Sequence, residues 1–125
     1  MHRVATTALI AALCACAGAR ASTPTLTECL EGGDFIANAA RSRDNGLDRS
    51  AFMERLHDDV RTIQAFPPAL RWFVHDTEDE TVLVTWSERV FDAPVTPEAH
   101  RKDFLRACFG RADATVTGSA SPTPD

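Results

Sequence analysis

The sequence is short of basic residues and of histidine. Its 125 residues include 13 lysines and arginines against 18 aspartates and glutamates, and only four histidines. A surface with this excess of negative charge repels the phosphates of nucleic acids and the headgroups of anionic lipids. No two histidines stand four residues apart, which is the spacing of zinc-binding helices. The composition therefore argues against a nucleic-acid partner, and we expect no metal ion.

Sequence motifs of catalysis are also missing. Ser42, Ser50 and Ser87 lack the flanking glycines of a nucleophile elbow, and Gly32-Gly33 lies within a helical pattern rather than after a strand. Carboxylates are numerous, but no spacing selects one pair as an acid and base couple. We therefore expect no catalytic residues and no cofactor, and the protein is not predicted to be an enzyme. A small periplasmic enzyme of unknown chemistry is the alternative.

No apolar run is long enough to cross a bilayer. After Arg3, the segment from Val4 to Ala17 has no charged residue, but a transmembrane helix needs roughly 20 apolar residues. Residues 1–21 are therefore predicted to be a secretory signal peptide that is cleaved before Ser22, which makes the mature protein periplasmic or secreted. The alternative is a lipoprotein signal, in which Cys16 carries a lipid anchor to the outer membrane.

The four cysteines divide between the leader and the mature chain. Removal of residues 1–21 takes away Cys14 and, unless it is lipidated, Cys16, which leaves Cys29 and Cys108. In a compartment that oxidises thiols, these two are predicted to form an intramolecular disulfide. The bridge would close a loop of about 80 residues and add about 4–4.5 kcal/mol of stability. Two free buried thiols, or a bridge between two chains, are the alternatives.

Apolar residues recur at helical spacing in the first half of the mature chain. A first helix is predicted over residues 28–43, with Thr25 or Thr27 as its cap. A second helix, capped by Asp48, is predicted over residues 49–65. Its apolar residues recur every three or four positions and form one buried stripe of Phe52, Leu56, Val60 and Ile63.

The segment between residues 70 and 90 is consistent with two structures. Two runs rich in strand formers, at 70–74 and 81–86, are separated by acidic residues and are typical of a β-hairpin. The acidic stretch Thr77-Glu78-Asp79-Glu80 also has the pattern of a capping box at the start of a helix over 78–91. We favour the helix. The predicted fold is therefore all-α, a small bundle of about four helices, and the alternative is an α+β fold with a hairpin.

The last predicted helix opens at Thr96-Pro97-Glu98. This motif combines a capping threonine, a proline at the first helical position and a carboxylate near the positive end of the helix. Gly110 is predicted to end the helix. Residues 111–125 are mostly small or polar and are predicted to be a disordered tail, so the helical domain is expected to cover residues 22–110. In this arrangement Cys29 lies in the first helix and Cys108 in the last.

Two neighbouring residues are candidates for contact with a partner. Arg71 and Trp72 follow Pro67-Pro68, which could present the indole ring as a rigid anchor. Arginine and tryptophan dominate the binding energy of many protein interfaces. The alternative is that Trp72 and Trp86 fill the core between the helices.

The layout resembles that of small uncharacterised exported proteins of proteobacteria. The matching features are Cys29, Cys108, the run over residues 39–46 and Val90-Phe91 before two prolines, and they cover residues 29–109. In architecture alone the chain is similar to HdeA-type acid-stress chaperones and to periplasmic immunity proteins. We therefore expect a non-catalytic module that binds another periplasmic protein, of inhibitor or immunity type. An acid or envelope stress chaperone is the alternative.

Overall fold

The computed structural model describes residues 23–117, with side chains described up to Asp113. Its four α-helices are α1 (Leu26–Asp44), α2 (Arg49–Gln64), α3 (Thr77–Asp92) and α4 (Pro97–Thr117), and a short 3₁₀ helix, Pro68–Leu70, lies between α2 and α3. This part of the chain contains no strand, so the predicted all-α fold is confirmed and the alternative hairpin at 70–90 is wrong. The predicted signal peptide, Cys16 and residues 118–125 lie outside the described residues.

Polar side chains fix where the helices begin. The Thr25 hydroxyl accepts a hydrogen bond from the Glu28 amide, and the Glu28 carboxylate accepts one from the Thr25 amide at 2.9 Å. Asp48 caps α2 as predicted. The cap of α3 is Asp76, one residue before the predicted one, and its carboxylate accepts from the Asp79 amide at 2.9 Å. Each cap satisfies amides of the first turn that have no partner within the helix.

A disulfide joins α1 to α4, and the two helices run antiparallel. Cys29 and Cys108 are bonded and buried, with their Cα atoms 5.6 Å apart, so the predicted pairing is confirmed. One turn further along α1, the helices approach closely. A Cβ atom added at Gly32 would lie 2.8 Å from the ring of Phe104 on α4, which shows why glycine is needed there.

The helix α4 continues past Gly110, which was the predicted end of the helix. It runs to Thr117, so residues 111–117 are helical and the predicted boundary of a disordered tail at residue 111 is wrong for this stretch. A glycine inside a helix costs only about 1 kcal/mol relative to alanine. The Arg111 guanidinium contacts the Asp79 carboxylate at 2.8 Å and holds this part of α4 against α3.

The core lies between α1, α3 and α4, and α2 covers one side of it through contacts with α3. Seven aromatic rings form a continuous series through and along the core, with neighbouring centroids 5.2–6.1 Å apart, in the order Phe91, Phe52, Phe35, Trp72, Phe73, Phe104 and Trp86. Both tryptophans are half-buried and pack against the core rather than within it. None of the helices in residues 23–117 is long and apolar enough to cross a membrane.

Candidate functional site

An apolar groove opens on the surface where α1, α2, α3 and the loop before α3 meet. Its volume is about 410 Å³. We call it the Trp72 groove, and its lining residues are Phe35, Leu56, Asp59, Val60, Thr62, Ile63, Trp72 and Leu83. The α2 residues Leu56, Val60 and Ile63 belong to the apolar stripe that predicted this helix. Leu56 and Val60 are buried in the core and form the floor of the groove, whereas Ile63 is partly exposed.

Trp72 is fixed in its position at the edge of this groove. Its indole Nε1 donates a hydrogen bond to the Glu31 carboxylate at 2.9 Å. Its ring packs in tilted contacts on Phe35, at 5.7 Å between centroids, and on Phe73, at 5.8 Å. A side chain held in this way loses little conformational entropy when a ligand covers it.

The loop that carries Trp72 is anchored on both sides of the indole ring. The next residue, Phe73, is buried and has a φ of 50°, a left-handed conformation that is unusual for an aromatic residue. Burial of its ring in the core offsets the strain of this backbone. Arg71, on the other side, donates hydrogen bonds to the carbonyls of Phe66 at 2.8 Å and Gln64 at 3.0 Å. The guanidinium thus caps the end of α2, and of the two predicted contact residues only Trp72 lines the groove.

The edge of the Trp72 groove on α2 is acidic. Of the described residues that line the groove, Asp59 alone carries a charge. No side chain in the described part of the chain pairs with it. Asp59 also borders a second, shallow depression, whose other lining residues are Ala51, Glu54, Arg55 and Asp58. Asp58 is paired with Arg61 on the same helix.

A hydrogen-bonded pair, His75 and Glu28, closes the base of the loop near the disulfide. His75 Nε2 lies 2.5 Å from the Glu28 carboxylate, and Nδ1 lies 3.2 Å from the Pro68 carbonyl. The hydrogen bond to Glu28 raises the pKa of His75, against the opposing effect of burial. For Glu28, burial raises the pKa, but the hydrogen bonds from the Thr25 amide and His75 outweigh it and hold the pKa below 4.5. Both shifts favour the charged forms.

A second ion pair, between α3 and α4, joins a buried carboxylate to a partly buried arginine. The Asp79 side chain is 2% exposed and lies 2.8 Å from the Arg111 guanidinium. Its other oxygen accepts a hydrogen bond from the His75 amide at 3.1 Å. Glu78 also approaches Arg111, at 3.7 Å, but is mostly exposed. The ion pair and the hydrogen bond compensate the buried carboxylate for its lost hydration, so we assign Asp79 a structural role.

The opposite end of the bundle is held by Arg43. Its guanidinium donates to the carbonyls of Val90 at 2.6 Å, Ala93 at 2.9 Å and Val95 at 2.8 Å. The buried His100 ring contacts the Ala93 carbonyl at 2.9 Å. Val90 lies in the last turn of α3, where carbonyls have no partner inside the helix, and Ala93 and Val95 belong to the turn that follows. Arg43 and His100 therefore fix the turn between α3 and α4.

Residues with catalytic or metal-binding chemistry do not converge in the Trp72 groove. Among the described lining residues, Asp59 supplies one carboxylate and Thr62 one hydroxyl, and the others are apolar. Among residues 23–117, no group of three or more histidine, cysteine, aspartate or glutamate side chains could hold a metal ion. Ser87 is buried in the core, away from solvent. The chemistry that the groove offers is apolar contact with an acidic edge.

The fold and the groove define a class of protein: a small all-α protein with a disulfide between its first and last helices and an apolar surface groove. No protein family, no curated protein and no solved structure matches the chain.

The sequence singles out Trp72 as a candidate but not the residues that surround it. Glu31 lies 41 positions from Trp72 in the chain, and Asp59 looks in the sequence like any solvated residue of an amphipathic helix. The pairing of Glu28 with His75 was also missed, because nothing local to either residue indicates it. The acidic residues in the first turn of α3 indicate the start of a helix, but they do not predict the contacts that Asp79 makes with Arg111 and His75.

Proposed function

We propose that this protein is a non-catalytic periplasmic module of inhibitor or immunity type that binds another protein through the Trp72 groove. The observation that carries the proposal is an indole ring held at the edge of an open apolar groove by Glu31 and Phe35. Tryptophan is among the residues that contribute most to interface energies. A ring that is already fixed in place adds affinity, because little entropy is lost on binding.

The proposed compartment is supported by the disulfide and by the predicted signal peptide. A buried bridge between Cys29 and Cys108 persists where thiols are oxidised, as in the periplasm.

The proposal is tested by affinity capture from the periplasm of the native host, with the oxidised protein as bait. Three baits are compared: the wild type, Trp72→Ala and the control Leu70→Ala. Leu70 belongs to the same loop and is 72% exposed, but it does not line the groove. We expect one stoichiometric partner with the wild type and the control. Loss of a hot-spot residue costs about 2 kcal/mol or more, which is about 30-fold in affinity, so Trp72→Ala should lose this partner.

The same experiment can contradict the proposal. Equal capture by the wild type and Trp72→Ala would place the binding surface elsewhere. A diffuse set of proteins that is captured only at low pH would indicate the stress chaperone instead. Circular dichroism of each bait shows whether the variant is folded. If Trp72→Ala is unstable, Trp72→Phe, which keeps an aromatic ring on Phe35, replaces it as the test variant.

A further inference from the structure

We infer that the ligand of the Trp72 groove is a cationic amphipathic segment, whose apolar side chains lie against Trp72 and α2 while a lysine or arginine beside them pairs with Asp59. This inference rests on the proposed function and adds the chemistry of the partner to it.

The shape and lining of the groove favour a peptide segment over a small metabolite. Small-molecule sites orient the ligand with a few polar groups that converge on it, whereas the polar residues in the described lining, Asp59 and Thr62, both lie on α2. The apolar wall on α2 extends from Leu56 to Ile63, which is roughly 10 Å at 1.5 Å per residue. About two turns of a helix with apolar residues three or four positions apart would cover this length.

The charge of the partner follows from the charges around the groove. Of the described residues, Asp59 is the charged one in the lining, and none of them pairs with it. Among the described residues that line the neighbouring depression, Glu54 and Asp58 are acidic and Arg55 is basic, and Asp58 is already paired with Arg61. Removal of the predicted leader, with Arg3 and Arg20, leaves the chain with a net charge of about −7, counted from the sequence. A basic partner is attracted to such a surface, and an acidic one is repelled.

The face of Trp72 adds to this preference for a cation. Its Nε1 edge is bound to Glu31, so the ring is presented in one orientation beside an acidic side chain. A lysine or arginine over an indole ring is attracted by the negative face of the ring. The apolar wall, the indole ring and the acidic edge therefore favour the same class of ligand.

The test is isothermal titration calorimetry of the oxidised protein with two synthetic helical peptides. Both peptides carry leucines at the same positions, and the remaining positions are lysine in one and glutamate in the other. We expect the leucine–lysine peptide to bind at least tenfold more tightly than the leucine–glutamate peptide. We also expect Asp59→Asn to weaken its binding three- to tenfold. Asp58→Asn removes the same charge from the adjacent residue, which is paired with Arg61 and is not among the groove's lining residues, and should weaken the affinity less than Asp59→Asn does.

Trp72→Ala separates binding in the groove from general attraction between a basic peptide and an acidic protein. This variant keeps the net charge, so we expect it to lose at least tenfold in affinity for the leucine–lysine peptide. Unchanged affinity would overturn the inference. Equal affinities of the wild type for the two peptides, or no effect of Asp59→Asn, would overturn the charge preference. If Trp72→Ala then lost the binding of both peptides, the groove would still be supported as a protein-binding site. Absence of binding by either peptide would also overturn the inference, whereas the capture experiment decides on the proposed function independently.

Discussion

Two glycines, Gly32 and Gly110, allow one chemical change to be tested in two environments. Gly32 lies in α1 against α4, and an added Cβ would be 2.8 Å from the Cε1 and Cζ atoms of Phe104 and 3.2 Å from Phe73. Both rings are fully buried. Gly110 lies in α4, and a Cβ there would meet nothing within 4 Å. Replacement of each glycine by alanine therefore adds the same methyl group to a closed contact or to open space.

The two substitutions should change stability in opposite directions. Alanine is favoured over glycine in a helix by roughly 0.8–1 kcal/mol, so Gly110→Ala is expected to stabilise the protein by up to about 1 kcal/mol. At Gly32 the same gain is opposed by overpacking, which costs typically about 1–3 kcal/mol. The overpacking cost exceeds the gain in helix propensity because neither ring can move into solvent. We expect Gly32→Ala to lower the free energy of unfolding by about 1 kcal/mol.

The assay is urea denaturation of the oxidised proteins, followed by circular dichroism in the far ultraviolet. For a domain of this size, 1 kcal/mol corresponds to a shift of about 4–8 °C in Tm, so thermal unfolding provides a second measurement. A Gly32→Ala protein as stable as the wild type, beside a stabilised Gly110→Ala protein, would refute the reasoning. It would mean that α1 and α4 are not packed as closely as the structure has them.

Three further predictions concern the contacts that hold the helices together. Reduction of the Cys29–Cys108 disulfide, whose cysteines are 79 residues apart, should lower the free energy of unfolding by about 4 kcal/mol in urea titrations with and without dithiothreitol. Glu28→Gln should cost about 1 kcal/mol between pH 4.5 and pH 6.5 and less outside that range, measured by urea titration across pH. Arg43→Lys should cost about 2 kcal/mol, because an ammonium group cannot reach all three carbonyls that the guanidinium contacts.

The pH range of the second prediction follows from the directions of the two pKa shifts. The pKa of His75 is raised above 6.5, so its contribution is complete below pH 6.5 and is lost as the pH rises through the raised value. The pKa of Glu28 is lowered from 4.5, so its contribution is complete above pH 4.5 and is lost as the pH falls through the lowered value. Glutamine can still cap α1, which isolates the effect of the charge. A cost that does not vary with pH would contradict this assignment.

Controls for the other two predictions are available in the chain. Arg41 lies close to Arg43 on α1 but is half-exposed, with its guanidinium 3.6 Å from Glu98, so Arg41→Lys should change stability by no more than about 0.5 kcal/mol. Equal effects of the two arginine substitutions would contradict the role of Arg43. For the disulfide, equal stability of the oxidised and reduced protein would show that the bridge does not restrain the unfolded chain.

The sequence by itself determined the helices and most of their boundaries. Asp48 and the apolar spacing of α2 are local signals, and so is Thr96-Pro97 at the start of α4, where the Thr96 hydroxyl accepts from the Ala99 amide at 3.2 Å. Such signals act between residues three or four positions apart and can be read along the chain. The disulfide was also predictable, since two cysteines remained after the expected leader. The end of α4 was not predictable from the sequence, because Arg111, beyond the predicted end, pairs with Asp79 of another helix.

Only the tertiary structure decided where the groove lies and what surrounds Trp72. Phe35, Leu83 and Trp72 come from three separate segments, and the contact of Trp72 with Glu31 spans 41 positions of the chain. The pairing of Glu28 with His75 spans 47 positions. Nothing in the neighbourhood of these residues encodes such contacts, because they form only when α1 and the loop before α3 are packed together. Helices arise from short-range regularities in the sequence, whereas a site that several helices share arises from their packing.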